Sequence, residues 1–187
     1  MTTSTSAYVA ELNAAWGKLD LEASDFVIQF VADKLSSGSR VFTCGNGGSG
    51  ATASHFVNDW VKGISLESGL RVRAQCLSDN VPLLTAIAND LDYSEVFSFQ
   101  LSNLAEPGDL LIVISGSGNS QNILKVLKRA KEIGITTVGV LGFDGGEAIN
   151  FVDHVFLAPS FDMQIVEDIH SSFGHLVLKL SRSKSDE

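Results

Sequence analysis

LLIVISGSGNS, residues 110–120, joins an unbroken apolar run to a loop of glycines, serines and an asparagine. Apolar residues at consecutive positions predict a strand that is buried on both faces, as in a parallel sheet. A helical pattern begins near Ser120, directly after the loop. A buried strand that continues through a polar loop into a helix is the repeating unit of an open α/β fold.

The same order of elements recurs along the chain. We predict strands over 40–44, 71–77, 110–115, 136–141 and 154–157. We predict helices over 48–61, 81–88, 94–105, 120–133, 145–151 and 164–181. This alternation predicts a parallel sheet covered by helices on both faces, whose ligands bind beyond the carboxyl ends of the strands.

Two helical patterns precede the first strand. Their apolar residues recur at helical spacing: Tyr8, Leu12, Ala15 and Leu19, then Phe26, Phe30, Val31 and Leu35. No internal repeat or linker divides the chain. We therefore predict a single domain over 1–187, with an N-terminal helical arm over about 7–37, and we expect the polar end, 181–187, to fray.

Composition limits the class of protein. The chain has 187 residues, of which 44% are hydrophobic and 19% charged, and its net charge is −9. These values fit one globular domain, and the acidic balance disfavours nucleic acid as a partner. Neither a membrane span nor a secretory signal is recognisable, and Cys44 and Cys76 are too few for a disulfide framework. We expect a cytoplasmic protein without membrane contact.

The loop over 45–50, Gly-Asn-Gly-Gly-Ser-Gly, lies between a predicted strand and a helix. Its glycines allow a ligand to approach the backbone, and the helix offers free N–H groups at the positive end of its dipole. A phosphate suits such a loop, although a simple tight turn is an alternative. The dinucleotide fingerprint matches weakly, since its acidic partner, Asp79, comes late.

The loop over 115–120, Ser-Gly-Ser-Gly-Asn-Ser, provides a second anion-binding cradle at a helix N-terminus. Ser120 could serve only as an N-cap, but that role does not explain Ser115 and Ser117. A dinucleotide fold does not require this second loop. Two cradles at strand ends therefore favour a small phosphorylated ligand.

Ionisable residues form two helical pairs. His55 and Asp59 are one turn apart on the predicted helix over 48–61, and Glu167 and His175 lie on the last helix. Together they could bind a divalent metal, with zinc as the first choice, or act as an acid/base pair. Ordinary structural imidazoles are the alternative. His154 has no predicted role, and for His170 a solvent-facing position stays open.

Taken together, these segments resemble the phosphoheptose isomerase family of sugar isomerase (SIS) domain proteins. The resemblance extends from about Tyr8 to Leu180. It is carried, in order, by CGNGGS at 44–49, HF at 55–56, TAIAND at 85–90, PGD at 107–109, ISGSGNS at 114–120, GFDGG at 142–146, and the helix with Glu167, His170 and His175.

The resemblance implies an α/β three-layer sandwich of the flavodoxin-like type, with a five-stranded parallel sheet and helices on both faces. It implies a homotetramer with sites at subunit interfaces. The implied reaction converts sedoheptulose 7-phosphate into D-glycero-D-manno-heptose 7-phosphate through an enediol.

The resemblance also implies roles for individual residues. The phosphate would be bound at Ser49, Ser115, Gly116, Ser117 and Ser120. The sugar would be lined by Asn46, Gly47, Asn89, Asp90 and Glu167. Asp59 and His175 would be the catalytic acid and base, in an order that the sequence leaves open. One Zn²⁺ per site would be bound by His55, Asp59, Glu167 and His175.

This chain departs from the family pattern at two of these positions. The family usually has glutamate where this chain has Asp59 and glutamine where it has Glu167. These departures leave open an isomerase of another phosphosugar. Two further alternatives are a sugar-phosphate sensor and a non-enzymatic regulator of replication initiation, since some members of this fold are such regulators. The regulators of this fold lack counterparts of Asp59 and His175, so the presence of both favours an enzyme.

Overall fold

The computed structural model describes residues 4–183. Its sheet has five strands: β1 (Arg40–Gly45), β2 (Arg73–Cys76), β3 (Leu110–Ser115), β4 (Thr136–Leu141) and β5 (His154–Leu157). All four strand pairs are parallel, in the order β2-β1-β3-β4-β5. This is the flavodoxin-like order, and it confirms the predicted fold class.

Eight α-helices surround the sheet in the described part of the chain: α1 (Thr5–Trp16), α2 (Leu21–Ser36), α3 (Gly47–Asp59), α4 (Ser65–Ser68), α5 (Val81–Asp90), α6 (Ser98–Leu104), α7 (Gln121–Ile133) and α8 (Met163–Ser183). One core layer joins α1, α2, α3 and α8 to the sheet, and the other joins α5, α6 and α7 to its opposite face. None of these helices is long and apolar enough to span a membrane.

The predicted strands over 110–115, 136–141 and 154–157 coincide with β3, β4 and β5, which consist mostly of apolar and β-branched residues. The predicted strand over 71–77 is shorter in the structure, where β2 is an edge strand with exposed residues. The predicted helix over 94–105 is divided into a 3₁₀ turn, Tyr93–Glu95, and α6. Val96 and Phe97 are buried between them, so the chain turns inward at this point.

The predicted helix over 145–151 is wrong. Only Ala148–Asn150 forms a single 3₁₀ turn. Gly145 and Gly146 have φ values of 85° and 53°, in the left-handed region, which an α-helix does not allow. A side chain on Gly146 would also overlap the Ser117 carbonyl, so this segment packs as a turn against the second loop.

Phe26 was predicted on the buried face of its helix, but its side chain is 59% exposed. Val27 and Ile28 occupy the core positions, and the Phe26 ring lies beside His154 on β5, with the ring centroids 5.4 Å apart. Of the end predicted to fray, 181–183 continue α8 and 184–187 lie outside the described residues.

Helices α3 and α8 approach closely at Gly174. The Phe56 ring occupies the space that a side chain on Gly174 would need. The Trp60 indole N–H donates a hydrogen bond to the Gly174 carbonyl at 3.0 Å, and both aromatic side chains are fully buried. A π-helical turn, Trp60–Ile64, follows α3, and at Gly63 it packs against Leu178 of α8.

Gly174→Ala is expected to destabilise the fold, because the added methyl group overlaps the Phe56 ring. Overpacking of a tight core costs about 1–3 kcal/mol. Urea unfolding of the variant measures this loss. The control is Gly17→Ala, since a Cβ at Gly17 meets its nearest neighbour at an ordinary 3.5 Å. Equal stability of the two variants would contradict a tight α3–α8 contact.

The Tyr8 hydroxyl donates a hydrogen bond to the Asp168 carboxylate at 2.7 Å and so connects α1 to α8. This bond, together with the nearby negative charge, raises the pKa of Tyr8 to about 12. A raised pKa means that the bond stabilises the fold below pH 10 and that its contribution is lost as the pH rises towards 12.

Ultraviolet titration of Tyr93→Phe, in which Tyr8 is the one remaining tyrosine of the two in the sequence, is expected to give a midpoint near 12. Adding Asp168→Asn to this variant removes the charged acceptor and is expected to move the midpoint towards 10. A midpoint near 10 without that second change would show that Tyr8 is not bound to Asp168.

Candidate active site

The first loop turns tightly at the end of β1. A Cβ on Gly45 would lie 2.6 Å from the Ser49 backbone, and Gly47 has a φ of 52°. Ser78 secures the turn, since its hydroxyl donates to the Gly45 carbonyl at 2.9 Å. Asn46 is the N-cap residue of α3, yet its side chain makes no capping bond. The helix N-terminus, which includes Ser49, is therefore not closed by a side chain of its own N-cap.

The second loop follows β3 and is held by its own hydroxyls. The Ser115 hydroxyl accepts a bond from the Gly118 N–H at 3.0 Å, and the Ser117 hydroxyl accepts one from the Asn119 N–H at 3.3 Å. Ser120 is the N-cap of α7, but its hydroxyl does not cap the helix. That hydroxyl is thus not used by the helix, as the anion-cradle prediction requires.

The glycine turn after β4 supports the second loop from outside. The Glu147 N–H donates to the Asn119 side-chain oxygen at 2.9 Å, and the Ala148 N–H donates to the Gly118 carbonyl at 2.9 Å. Met163, at the start of α8, packs on Gly116, where a Cβ would lie 2.5 Å from its sulfur. The loop backbone is therefore fixed by packing on two sides.

Three of the predicted ionisable residues converge between α3 and α8. The Nε2 atoms of His55 and His175 are 3.1 Å apart. The nearer Asp59 carboxylate oxygen lies 3.4 Å from His55 Nε2 and 3.7 Å from His175 Nε2. Both histidines are exposed and Asp59 is partly buried, so the cluster is open to a ligand.

This donor set fits a divalent metal. All three ligand atoms lie within 4.8 Å of one another. Two ligands of a tetrahedral zinc ion, each about 2.0–2.2 Å from it, are roughly 3.3 Å apart, close to the observed spacing. Two imidazoles with one carboxylate are also a common protein ligand set in catalytic zinc sites, which keep a position open for water or substrate.

Glu167 does not belong to this close group. Its carboxylate lies beside the first loop, where a Cβ on Gly48 would be 2.6 Å from its Oε1 atom. Asn89 and Asp90 are exposed at the end of α5 and bond to each other at 2.8 Å. No hydrogen bond of the described residues connects that pair to the two loops or to the histidines.

His170 is buried, with 1% of its surface exposed, so a solvent-facing position is excluded. Burial disfavours the charged imidazolium and lowers the pKa of His170 to about 4. The side chain is thus neutral at neutral pH and belongs to the core, whereas His55 and His175 are open to solvent.

The sequence did not predict the two residues that contact the Asn46 side chain. Asn122, in the first turn of α7, and Tyr93 both hydrogen-bond to the Asn46 side chain. The available signal was weak, since Asn122 lies only two residues beyond Ser120 in the quoted ISGSGNS segment. Tyr93 has no neighbouring motif that would mark it.

Comparison with known proteins identifies the family to which this chain belongs. A family profile described as the SIS domain matches residues 7–142, and the chain therefore belongs to the SIS domain family. The phosphoheptose isomerase of Clostridium acetobutylicum is 40% identical over 157 residues, which cover 84% of this chain and 80% of that protein. Within the SIS domain proteins the chain thus belongs to the phosphoheptose isomerases, and it is an enzyme of the isomerase class.

Solved structures of phosphoheptose isomerases have the same fold as this chain. A phosphoheptose isomerase from Neisseria gonorrhoeae superposes with a TM-score of 0.84 at 29% identity, covering 95% of this chain and 96% of that one. A phosphoheptose isomerase from Francisella tularensis gives a TM-score of 0.87 at 25% identity, with the same coverage. The fold of this chain is therefore that of the family over nearly its whole length.

Metal content tests the donor set. Purified protein loaded with Zn²⁺ and dialysed is expected to retain about one ion per chain. His55→Ala and His175→Ala are each expected to lose most of it, because two ligands no longer hold a borderline cation tightly. His154→Ala serves as control, since His154 lies on β5. Retention by all three variants alike would exclude the cluster as the metal site.

Proposed function

We propose that the protein converts sedoheptulose 7-phosphate into D-glycero-D-manno-heptose 7-phosphate, an aldose–ketose isomerisation through an enediol. The observation that carries this proposal is the meeting of His55, Asp59 and His175 on two helices, one of which begins at a phosphate-type loop. The relatives named phosphoheptose isomerase give the substrate class.

The phosphate would be bound without lysine or arginine. Ser115, Ser117 and Ser120 offer hydroxyls, and the N-terminus of α7 offers backbone N–H groups and the positive end of its dipole. Gly116 brings the backbone close to the anion, and Ser49 contributes from the first loop. Local groups of this kind bind an anion despite a net charge of −9.

Proton transfer falls to Asp59 and His175. For the ketose, one of them removes a proton from C1, which gives the enediol, and a proton returned to C2 completes the aldose. The other group handles the protons on O1 and O2. General acid–base assistance is worth about 10²–10⁴ in rate for a positioned group. One Asp59 carboxylate oxygen lies 3.4 Å from His55 Nε2 and 3.7 Å from His175 Nε2, so the proposed proton-transfer groups adjoin each other.

We further propose that the bound metal is Zn²⁺, held by His55, Asp59 and His175, with Glu167 as a fourth ligand or a sugar contact. When bound, such an ion supplies Lewis-acid polarisation of the sugar carbonyl. The position of Glu167 beside Gly48 supports the sugar contact, since Asn46 and Gly47 of the same loop are the residues expected to line the sugar.

The proposal includes a cytoplasmic homotetramer with sites at subunit interfaces. Asn89 and Asp90 support it, because both are exposed and neither bonds to the loops of its own chain in the described structure.

Asp59→Asn and His175→Ala are each expected to reduce turnover of sedoheptulose 7-phosphate by about 10²–10⁴, because each removes a proton-transfer group. Product analysis by chromatography measures turnover, and calorimetry measures sugar-phosphate binding, which should persist. Asp25→Asn, the same chemical change at an exposed position on α2, is the control.

Two results would contradict the proposed reaction, and each would favour a different function. Tight binding of the sugar phosphate without conversion by the wild type identifies a sensor. Conversion of a different phosphosugar, with none of sedoheptulose 7-phosphate, identifies an isomerase of that sugar, for which Asp59 and Glu167 mark the departures from the family pattern. Full activity of either site variant would exclude Asp59 and His175 as the catalytic pair.

A further inference from the structure

We propose that Asn122 and Tyr93 are positioning residues that fix the Asn46 amide, so that it offers the sugar one N–H donor and no acceptor. This inference rests on the proposed function, because it assigns a geometry to a residue expected to line the sugar. Neither Asn122 nor Tyr93 has a role in the sequence prediction.

Three hydrogen bonds connect the side chains of Asn46, Asn122 and Tyr93. The Asn46 Nδ2 group donates to Asn122 Oδ1 at 2.9 Å, and Asn122 Nδ2 donates back to Asn46 Oδ1 at 2.8 Å. The Tyr93 hydroxyl donates to the same Asn46 Oδ1 atom at 3.0 Å. Asn122 is 2% exposed, so its amide is buried and held by this reciprocal pair.

These hydrogen bonds determine which donors and acceptors of the Asn46 amide stay available to a ligand. A side-chain amide has two N–H donors and an oxygen with two lone pairs. Both lone pairs of Asn46 Oδ1 are occupied, by Asn122 and Tyr93, and one N–H is bonded to Asn122. One N–H remains. The usual use of an asparagine at this position, capping the helix, is absent here, which agrees with an amide held for another purpose.

The remaining N–H determines which ligand atom fits. It requires an oxygen that accepts a hydrogen bond, such as a carbonyl oxygen or the lone pair of a sugar hydroxyl. Asn46 lines a cleft of about 380 Å³ together with Gly47, Ser78, Asp79 and Tyr93. A sugar hydroxyl that donates towards Asn46 would find no lone pair free, so the site discriminates by the direction of the hydrogen bond.

The reciprocal pair also connects the two loops. Asn46 follows β1 in the first loop, whereas Asn122 lies in the first turn of α7, directly after the second loop. A ligand that binds the second loop therefore contacts the same helix end that orients Asn46. If Asn122 no longer oriented Asn46, the bound sugar would be misaligned. A misalignment that reaches the reacting atoms costs up to about 10²-fold in rate.

A double-mutant cycle tests the inference. Asn46→Ala and Asn122→Leu are each expected to lower kcat/KM for sedoheptulose 7-phosphate by roughly 10- to 100-fold. Tyr93→Phe is expected to lower it by roughly 3- to 10-fold through the loss of one hydrogen bond. In the Asn46→Ala background, the Asn122 and Tyr93 changes should each have less than about a twofold effect, because they act through Asn46.

Asn103→Leu, on the exposed surface of α6, is the matched control for Asn122→Leu. Tyr93→Phe keeps the test valid if Asn122→Leu does not fold, because the Tyr93 side chain is 58% exposed. Equal effects in both backgrounds, or wild-type kcat/KM in Asn122→Leu and Tyr93→Phe, would overturn the inference.

Calorimetric affinity for the sugar phosphate, measured through the same cycle, separates this inference from the proposed function. A wild type that binds without turnover refutes the isomerase, and coupled losses of affinity at Asn46, Asn122 and Tyr93 would still support the positioning role. Additive losses would refute it. A wild type that neither binds nor converts the sugar phosphate refutes both.

Discussion

The close contact between α3 and α8 at Gly174 is the constraint on which the site depends. A residue without a side chain lets the Phe56 ring lie directly against the α8 backbone, and the Trp60 indole fixes the distance through a buried hydrogen bond. His175 is the next residue along α8, and His55 and Asp59 lie beside Phe56 and Trp60. The spacing of the imidazoles is therefore set by core packing and not by the exposed side chains themselves.

The two loops follow a different physical rule. The first loop takes its shape from a glycine turn that Ser78 secures, and the second from short contacts with the turn at Gly145 and Gly146. In the proposed function, backbone N–H groups and hydroxyls of these loops give the phosphate a positive potential that is local and directional. They would allow an acidic protein to bind an anionic substrate, because the net charge acts over long distances, whereas these groups act at hydrogen-bond distance.

Much of the fold could be predicted because its signals are local in sequence. The apolar run of β3 is unbroken over 110–114, and His55 and Asp59 are linked by helical spacing alone. The features that the sequence did not predict depend on tertiary packing, which leaves no local pattern in the sequence. The segment at Gly145 is a turn because its backbone packs against the second loop, and Phe26 is exposed because Val27 and Ile28 occupy the core positions of α2. The Asn46–Asn122 pair has no periodic signal, since it exists only once β1 and β3 are neighbours.

His55 and His175 are 120 positions apart in the chain. The helix with His175 is the last described element, and it docks on a core to which α1, α2 and α3 already contribute. Contacts of such long sequence separation slow folding, because the chain loses loop-closure entropy before they form. Met163 of the same helix also packs on Gly116 in the second loop, and Glu167 lies beside Gly48 in the first. The one helix therefore completes the histidine cluster and supports both loops, so a chain without α8 would lose every part of the candidate site together.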